Sequence, residues 1–130
     1  MFAPKKRNAL TDALVYLPVT AAEAVALGEA LVLTSGKLTK CGAAVAPTFI
    51  AMGACTGAEA TAGKLIPALR VSKEVTYETE LTAAYAGIAA GAKVTLAATG
   101  LGITATTTNG VAEIVDWDGK AVGDKVRVRF

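Results

Sequence analysis

The chain is 130 residues long and carries 13 Lys and Arg against 11 Asp and Glu, a net charge of +2, with no histidine. This balance excludes a strongly basic nucleic-acid binder, and without histidine there is no imidazole base, Ser–His pair or His-ligated metal. Because the 53% hydrophobic share includes only three Phe, three Tyr and one Trp, we expect a core of small side chains.

The first 18 residues form a predicted N-terminal arm with charge at one end and apolar residues at the other. Lys5, Lys6 and Arg7 are followed by "TDALVYL", whose spacing suits either a short helical turn or an extended arm. Such an arm is either disordered or orders on a partner surface. No hydrophobic stretch is long enough for a secretory signal or a membrane span, so we expect the protein to stay where it is made.

The first half of the remaining chain predicts short strands. "EALVLTSGKLTK" is typical of two strands joined by a turn at Ser35 and Gly36. "PTFIAMGAC" predicts a buried strand, and "GKLIPALRVS" predicts another in which Pro67 marks an edge or a bulge, because proline cannot donate to a ladder. The alanine-rich stretches 20–30 and 83–92 are interrupted by glycine and are interpreted as loops.

The second half continues in the same style. "KEVTYETEL" alternates apolar and acidic residues, which predicts a half-buried strand with a charged outer face. "AKVTLAAT", "GITATT", "GVAEIVDWD" and "DKVRVRF" are each short, rich in β-branched residues and bounded by Gly or Asp-Gly. The last of these predicts a strand with a basic face.

The two halves, residues 19–72 and 81–130, share a repeated pattern. "TAAEAVALGEALVLTSGKLT" is echoed by "TAAYAGIAAGAKVTLAATGLGIT", and "AGKLIPALRV" is echoed by "VGDKVRVRF", with Gly63 opposite Gly123. One unit of four or five short strands cannot bury both faces of its sheet. We therefore predict a mainly β fold, a compact β-barrel or β-sandwich of short strands with two pseudo-repeated units, in a single domain over residues 19–130.

Groups able to support chemistry are few. Cys41 and Cys55 lack the companions of a zinc site, and we expect free buried thiols rather than a disulfide. "DWDGKAVGD" superficially resembles a calcium loop but lacks the terminal Glu and has its glycine misplaced, so it predicts a turn. Trp117 is interpreted as a structural anchor. We predict no enzymatic activity, no cofactor and no metal.

The repeated pattern resembles the small head decoration, or capsid cement, proteins of tailed bacteriophages. The family's phrase, an alanine-rich loop followed by alternating short strands and a final Ala-Gly-(Asp/Glu)-x-Val-x-Val strand, is matched at residues 89–96, 102–104, 111–114 and 122–130. A looser copy lies at residues 28–33, 36–39, 49–54 and 63–67. Pro67 departs from the family's regular strand.

The resemblance implies a function, a partner and a location. Members bind the outside of the capsid and clamp neighbouring major capsid subunits, often as homotrimers, so the resemblance implies a virion protein made in the host cytoplasm, with no membrane and no direct nucleic-acid partner. The arm would then contact the capsid, through Phe2, Lys5, Lys6, Arg7, Leu14 and Tyr16. The alternatives are a head–tail joining or tail subunit and, less favoured, a small β-barrel module that binds nucleic acid or a ligand through "KVRVRF".

Overall fold

The computed structural model describes residues 1–6 and 14–130, and of Lys5 and Lys6 it describes only the backbone. This part of the chain is mainly β, as predicted. Its elements, in chain order, are β1 (Ala3–Lys6), β2 (Val15–Pro18), β3 (Ala30–Thr34), β4 (Lys37–Lys40), β5 (Phe49–Ala51), α1 (Gly57–Thr61), β6 (Leu65–Arg70), β7 (Thr76–Leu81), β8 (Lys93–Val94), β9 (Gly102–Ile103), β10 (Ala112–Trp117) and β11 (Lys125–Arg129).

The strands form two sheets. The first has the order β2-β6-β5-β3-β4, and the second has the order β1-β7-β11-β10-β8, with β9 pairing beside β7. The two sheets are not closed into a barrel. Of the two predicted arrangements, the barrel is therefore wrong, and two sheets are present as a sandwich requires.

The two sheets repeat one strand order. If the first unit is defined as residues 15–70 and the second as residues 76–129, then β2, β6, β5, β3 and β4 correspond in order to β7, β11, β10, β8 and β9. In each unit the strand at the end of this order, β4 or β9, also meets the strand at its start, β2 or β7, and the two run parallel. This contact is a single bridge between Val19 and Leu38 in one unit and a two-residue pairing of β7 with β9 in the other.

Individual hydrogen bonds repeat with the strand order. The Gly28 N–H donates to the Ala51 carbonyl at 2.7 Å, and the Gly91 N–H donates to the Ile114 carbonyl at the same distance. Two threonines likewise correspond: Thr20 N–H donates to the Leu38 carbonyl at 2.8 Å, and Thr82 N–H donates to the Ile103 carbonyl at 2.9 Å. The repetition seen in the sequence thus extends to these backbone hydrogen bonds.

Two apolar clusters fill the molecule. One lies within the first unit and includes Leu31, Leu38, Phe49 and Ile66. The other contains the interior of the second unit together with residues from the opposite face of the first unit, Ala30, Cys41, Ile50 and Leu69. This shared cluster joins the units, because the first unit's sheet buries apolar residues on both faces.

The N-terminal strand belongs to the second unit. β1 pairs antiparallel with β7, placing Ala3 opposite Glu78 and Pro4 opposite Tyr77. Phe2 is only 1% exposed, and its ring lies 5.3 Å from that of Phe130 in an edge-on arrangement. Its backbone N–H donates to the Gly28 carbonyl of the first unit, so this residue contacts both units.

Most strand predictions are confirmed, and one is wrong. The β3–β4 hairpin turns at Ser35 and Gly36, both with positive φ, and the alanine-rich stretches are turns and loops. However, β6 is an interior strand between β2 and β5 with regular register, so Pro67 marks neither an edge nor a bulge. Proline is tolerated there because its position lies just beyond the end of the β5 ladder, where only its carbonyl is used, by the Met52 N–H at 2.9 Å.

The short helix α1 was not predicted. Thr56 caps it: its hydroxyl accepts the Glu59 N–H at 3.2 Å, and the Glu59 carboxylate accepts the Thr56 N–H at 2.8 Å. This capping box satisfies amide groups that a helix start otherwise leaves unpaired. No helix in the described part of the chain is long and apolar enough to cross a membrane.

Both thiols are free and buried, as predicted. Cys41 lies in the shared cluster and Cys55 in the cluster of the first unit. Burial raises the pKa of the Cys41 thiol to about 11, so this group is a protonated, apolar core side chain at neutral pH.

Candidate interaction surface

An uncovered apolar surface lies on β2 and β6 of the first unit. Tyr16 pairs with Pro67 and Pro18 pairs with Leu65, and directly opposite residues in an antiparallel pair share one face of the sheet. Leu14, two residues before Tyr16, adds to that face. We call these five residues the apolar face. Leu14, Tyr16 and Leu65 are 44%, 63% and 54% exposed.

The apolar face continues a surface of β6 that is partly buried between the two units. Along β6 the side chains of Leu65, Pro67 and Leu69 point the same way, because strand residues alternate. Leu69 is buried in the cluster that joins the two units, whereas Leu65 lies beyond it in solvent. One end of this face is therefore covered by the second unit, and the other end has no cover among the described residues.

The corresponding surface of the second unit is charged. Glu78 stands where the first unit has Tyr16, and it pairs with Arg127, which stands in place of Pro67. Beside them Lys125 donates to Glu80 at 2.6 Å. The hydrogen bond from Lys125 is the main reason why the pKa of Glu80 lies below its usual value. This surface is therefore exposed to solvent, and its acidic and basic side chains pair with one another.

Arg127 holds three carboxylates. Its guanidinium donates to Asp116, to Asp118 at 2.6 Å and to Glu78 at 3.4 Å. The hydrogen bonds that Arg127 donates to Asp118 and Asp116 raise the pKa of Arg127. Of the three aspartates in "DWDGKAVGD", Asp116 at the end of β10 and Asp118 in the following turn thus pair with arginine, and Asp124 accepts the Ala121 N–H at 2.9 Å.

A pocket of about 290 Å³ opens on the outer face of the second unit. Its polar lining consists of Lys73, Lys93, Glu113 and Arg129. In the repeat, the last three correspond to Ala30, Ile50 and Leu69 of the first unit, which are buried between the units. The face that joins the units in one repeat is thus replaced in the other by an open, basic pocket.

A second cavity, of about 350 Å³, lies where the units meet and is lined by residues that include Glu29, Lys40 and Leu101. Glu29 is only 3% exposed, and its carboxylate accepts the Ala26 N–H at 2.8 Å and lies 3.5 Å from the Lys40 ammonium. Because its charge is already paired, Glu29 has a structural role in stabilising the loop before β3.

The predicted contact residues fall into three groups. Leu14 and Tyr16 are exposed on the apolar face, whereas Phe2 is buried and serves the core. Lys5 and Lys6 lie on β1 with undescribed side chains, and Arg7 lies outside the described residues. The structure therefore brings two of the six residues to one surface.

Sequence reasoning missed Leu65 and Pro67 as partners of Tyr16. The signal was present in the alignment of Gly63 with Gly123, which sets these two residues opposite Lys125 and Arg127. An apolar residue in one copy aligned with a charged residue in the other indicates that the two outer surfaces differ and that the apolar one is a candidate contact. The basic pocket was missed because its residues are far apart in the sequence.

Comparisons with known proteins identify no relative of the chain. No protein-family model matches the chain, and no curated protein or solved structure is significantly similar to it. Within residues 1–6 and 14–130 there is also no group of three or more Asp, Glu or Cys side chains placed to hold a metal ion. The surface geometry is therefore the starting point for a function.

Proposed function

We propose that the chain is a non-enzymatic capsid decoration protein of a tailed bacteriophage, which binds the outer surface of the head and stabilises contacts between neighbouring major capsid subunits. The observation that carries this proposal is the apolar face, exposed on one of two β units that share a strand order. Exposed apolar groups clustered within a polar surround are typical of protein-binding sites. The duplicated β architecture and the sequence pattern are consistent with the resemblance.

In this proposal the contact is made by Leu14, Tyr16 and Leu65, and the basic residues Lys5, Lys6 and Arg7 remain further contacts predicted from the sequence. Tyrosine is favoured at such contacts because it buries a large area at little entropic cost. Phe2 acts indirectly, because its burial fixes β1 to the second unit. The homotrimer implied by the resemblance remains a prediction.

Co-sedimentation with undecorated mature heads of the cognate phage tests the proposal. The wild-type chain is expected to pellet with the heads and to raise their thermal stability. The variant Tyr16→Glu/Leu65→Lys, which carries the residues of the second unit, is expected to bind at least about tenfold more weakly. Val122→Lys is the matched control, since Val122 is 66% exposed elsewhere. Failure of the wild type to pellet or to stabilise heads would contradict the proposal.

Position on the virion separates decoration from the nearest alternative. A head–tail joining or tail subunit would share the β-rich fold and the contact surface, but it would sit at one vertex or along the tail. Negative-stain microscopy of virions carrying a labelled chain is expected to show label over the whole head. Label confined to the neck or tail would assign the chain to that alternative.

A ligand- or nucleic-acid-binding module is a second candidate, favoured by the basic pocket. Lys73, Lys93 and Arg129 face a single Glu113 there, an excess of positive charge that suits a phosphate or carboxylate. Binding of single-stranded DNA or RNA at about 50 mM salt, lost as salt rises, would support it. An unchanged affinity in Lys93→Gln/Arg129→Gln would remove the pocket as the site.

A further inference from the structure

The charged side chains of the basic pocket stand on three neighbouring strands. Glu113 of β10 is directly opposite Lys93 of β8 on one side and Arg129 of β11 on the other. Directly opposite residues share one face of the sheet, and all three line the pocket. They therefore form a row in which one carboxylate separates two cations. The strands that carry the two cations are about 10 Å apart, because adjacent strands are spaced by about 4.8 Å.

The cations of the basic pocket are not neutralised by the chain itself. Along β11, the outward-facing Lys125 and Arg127 pair with carboxylates of the same unit. Arg129, the next residue on that face, forms no ion pair in the part of the chain that the structure describes, and neither do Lys93 and Lys73. The pocket therefore keeps an excess of positive charge that a ligand can neutralise.

Arg129 is oriented for an end-on contact with a carboxylate. Its Nε–H donates to the Thr76 hydroxyl at 3.3 Å, and Thr76 is itself buried on β7. The two terminal nitrogens of Arg129 have no hydrogen-bond partner among residues 1–6 and 14–130. Because these nitrogens can donate to both oxygens of one carboxylate, Arg129 is positioned to bind an acidic group in this way.

The apolar part of the pocket lining is held in place by the core. Val111 and Phe130 line the pocket, and both pack against the shared cluster. The Phe130 ring lies 5.3 Å from the Phe2 ring and 5.5 Å from the Tyr77 ring. Such a preformed surface can contact the aliphatic part of a peptide with little loss of side-chain entropy.

The order of charges in the row favours an extended acidic segment over a compact anion. A single phosphate or carboxylate held by both Lys93 and Arg129 would lie over the Glu113 carboxylate, whose charge repels it. In a polyproline-II segment, side chains three residues apart point the same way and lie about 9 Å apart. Two acidic side chains at that spacing can each meet one cation, on either side of Glu113.

A second copy of the chain has few carboxylates to offer to the basic pocket. Six of the described acidic side chains pair with lysine or arginine: Glu29, Glu59, Glu78, Glu80, Asp116 and Asp118. Glu23 and Asp124 accept backbone N–H groups. The complementary segment is therefore expected on a different protein.

We propose that the basic pocket binds an extended acidic segment of a different protein, with one carboxylate on Arg129 and a second on Lys93. Lys73, which precedes β7, supplies a third cation to the lining. The pocket requires only the acidic segment, and the assignment of that segment to a major capsid subunit rests on the proposed function. The chain would then contact the head through the apolar face of one unit and the basic pocket of the other. Two such contacts are what the bridging of neighbouring subunits requires.

Titration of the full chain with a short peptide tests the pocket. The probe is acetyl-Glu-Pro-Pro-Glu-amide, and acetyl-Gln-Pro-Pro-Gln-amide is its uncharged control. At about 50 mM salt, we expect the glutamate peptide to shift the NMR signals of the Lys93 amide and the Arg129 Nε–H, and to bind at least about fivefold more tightly than the control. Equal binding of the two peptides would overturn the proposal. Tighter binding of inorganic phosphate or of single-stranded DNA at the same ionic strength would also overturn it.

Two variants of equal net charge locate the binding. Lys93→Gln/Arg129→Gln should bind the glutamate peptide at least about fivefold more weakly than the wild type. Lys37→Gln/Lys120→Gln, which removes the same charge outside the pocket, should bind it like the wild type. All four side chains are exposed, so both variants should fold, and circular dichroism checks this. Equal losses in the two variants would show attraction by net charge alone and overturn the pocket as the site.

Binding to undecorated heads separates this inference from the proposed function. Lys93→Gln/Arg129→Gln should bind heads at least about fivefold more weakly than the wild type, with a shallower dependence on salt. Unchanged head binding in this variant would overturn the capsid as the source of the segment. A wild-type chain that binds heads but not the glutamate peptide would refute the pocket and leave decoration intact. A chain that binds the peptide but not the heads would refute decoration alone.

Discussion

The two units share a strand order but differ in what covers their outer faces. In the first unit, Ile50 is fully buried against the second unit. Its counterpart, Glu113, lines an open pocket. Further along the same faces, exposed Tyr16 is matched by Glu78, which pairs with arginine. One backbone thus supports an apolar outer face in one copy and a charged one in the other, since side chains that point outward do not affect the ladder.

Exchanging the residues of the buried position 50 and its open counterpart 113 should have the largest effect on stability. Ile50→Glu places an unpaired carboxylate in the shared cluster, and we expect a loss of at least about 4 kcal/mol in the free energy of unfolding. The reverse change, Glu113→Ile, should alter it by less than about 1 kcal/mol. Urea denaturation of both variants measures the difference. Similar losses in the two would refute the assignment of Ile50 to the contact between units.

The shared cluster should also respond to alkaline pH. The pKa of Cys41 is raised by burial from 9.0 to about 11, so the folded state disfavours the thiolate that the unfolded chain forms above pH 9. Stability from this group is complete below pH 9 and falls by up to about 2–3 kcal/mol as the pH approaches 11. Denaturation of the wild type and of Cys41→Ala across this range should show a steeper decline in the wild type. Parallel declines would indicate that Cys41 is accessible to water.

Alanine substitutions at two equivalent glycines should destabilise the protein by different amounts. Gly28 and Gly91 have φ of 78° and 86° and make the same hydrogen bond, so alanine at either position costs about 1 kcal/mol in backbone strain. At Gly28 the added methyl group would also meet the Met1 side chain, whereas at Gly91 it enters open space. Thermal unfolding is expected to show the larger loss for Gly28→Ala. The opposite order would place Met1 away from Gly28.

The charged surface of the second unit should contribute the least. Arg127→Met leaves Asp116, Asp118 and Glu78 without their shared cation, and we expect a loss of about 1 kcal/mol that shrinks in high salt. Lys125→Met, which removes one exposed pair with Glu80, is the matched control and should have a smaller effect. Denaturation at low and high salt measures both. A loss for Arg127→Met that is insensitive to salt would point to packing rather than charge.

The strands were predictable where alternation and turn residues coincide. "EALVLTSGKLTK" and "KEVTYETEL" gave β3, β4 and β7 with nearly correct bounds. The helix α1 was missed because five residues are too few for a helical period, although Thr56 and Glu59 form a recognisable capping box. The interior position of Pro67 was missed because a ladder's end point depends on the neighbouring strand and not on the proline itself.

The candidate surface was only partly predictable. Leu14 and Tyr16 were named as contacts from an apolar pattern, and they are exposed. Phe2 was named from the same pattern, yet it is buried between the units. An exposed and a buried apolar residue look alike in sequence, because burial depends on which distant segment packs above.

The sequence by itself determined that the protein is mainly β, that its pattern is duplicated and that residues along each strand alternate between two faces. The alternation of apolar and polar residues and the glycine-rich turns are local properties of the sequence. They favour short strands, which then pair with one another through backbone hydrogen bonds. Only the tertiary structure decided which face of each unit is covered. That choice depends on which distant segment packs against each face: Ile50 lies in the shared cluster with residues of the second unit, whereas its counterpart Glu113 lines an open pocket.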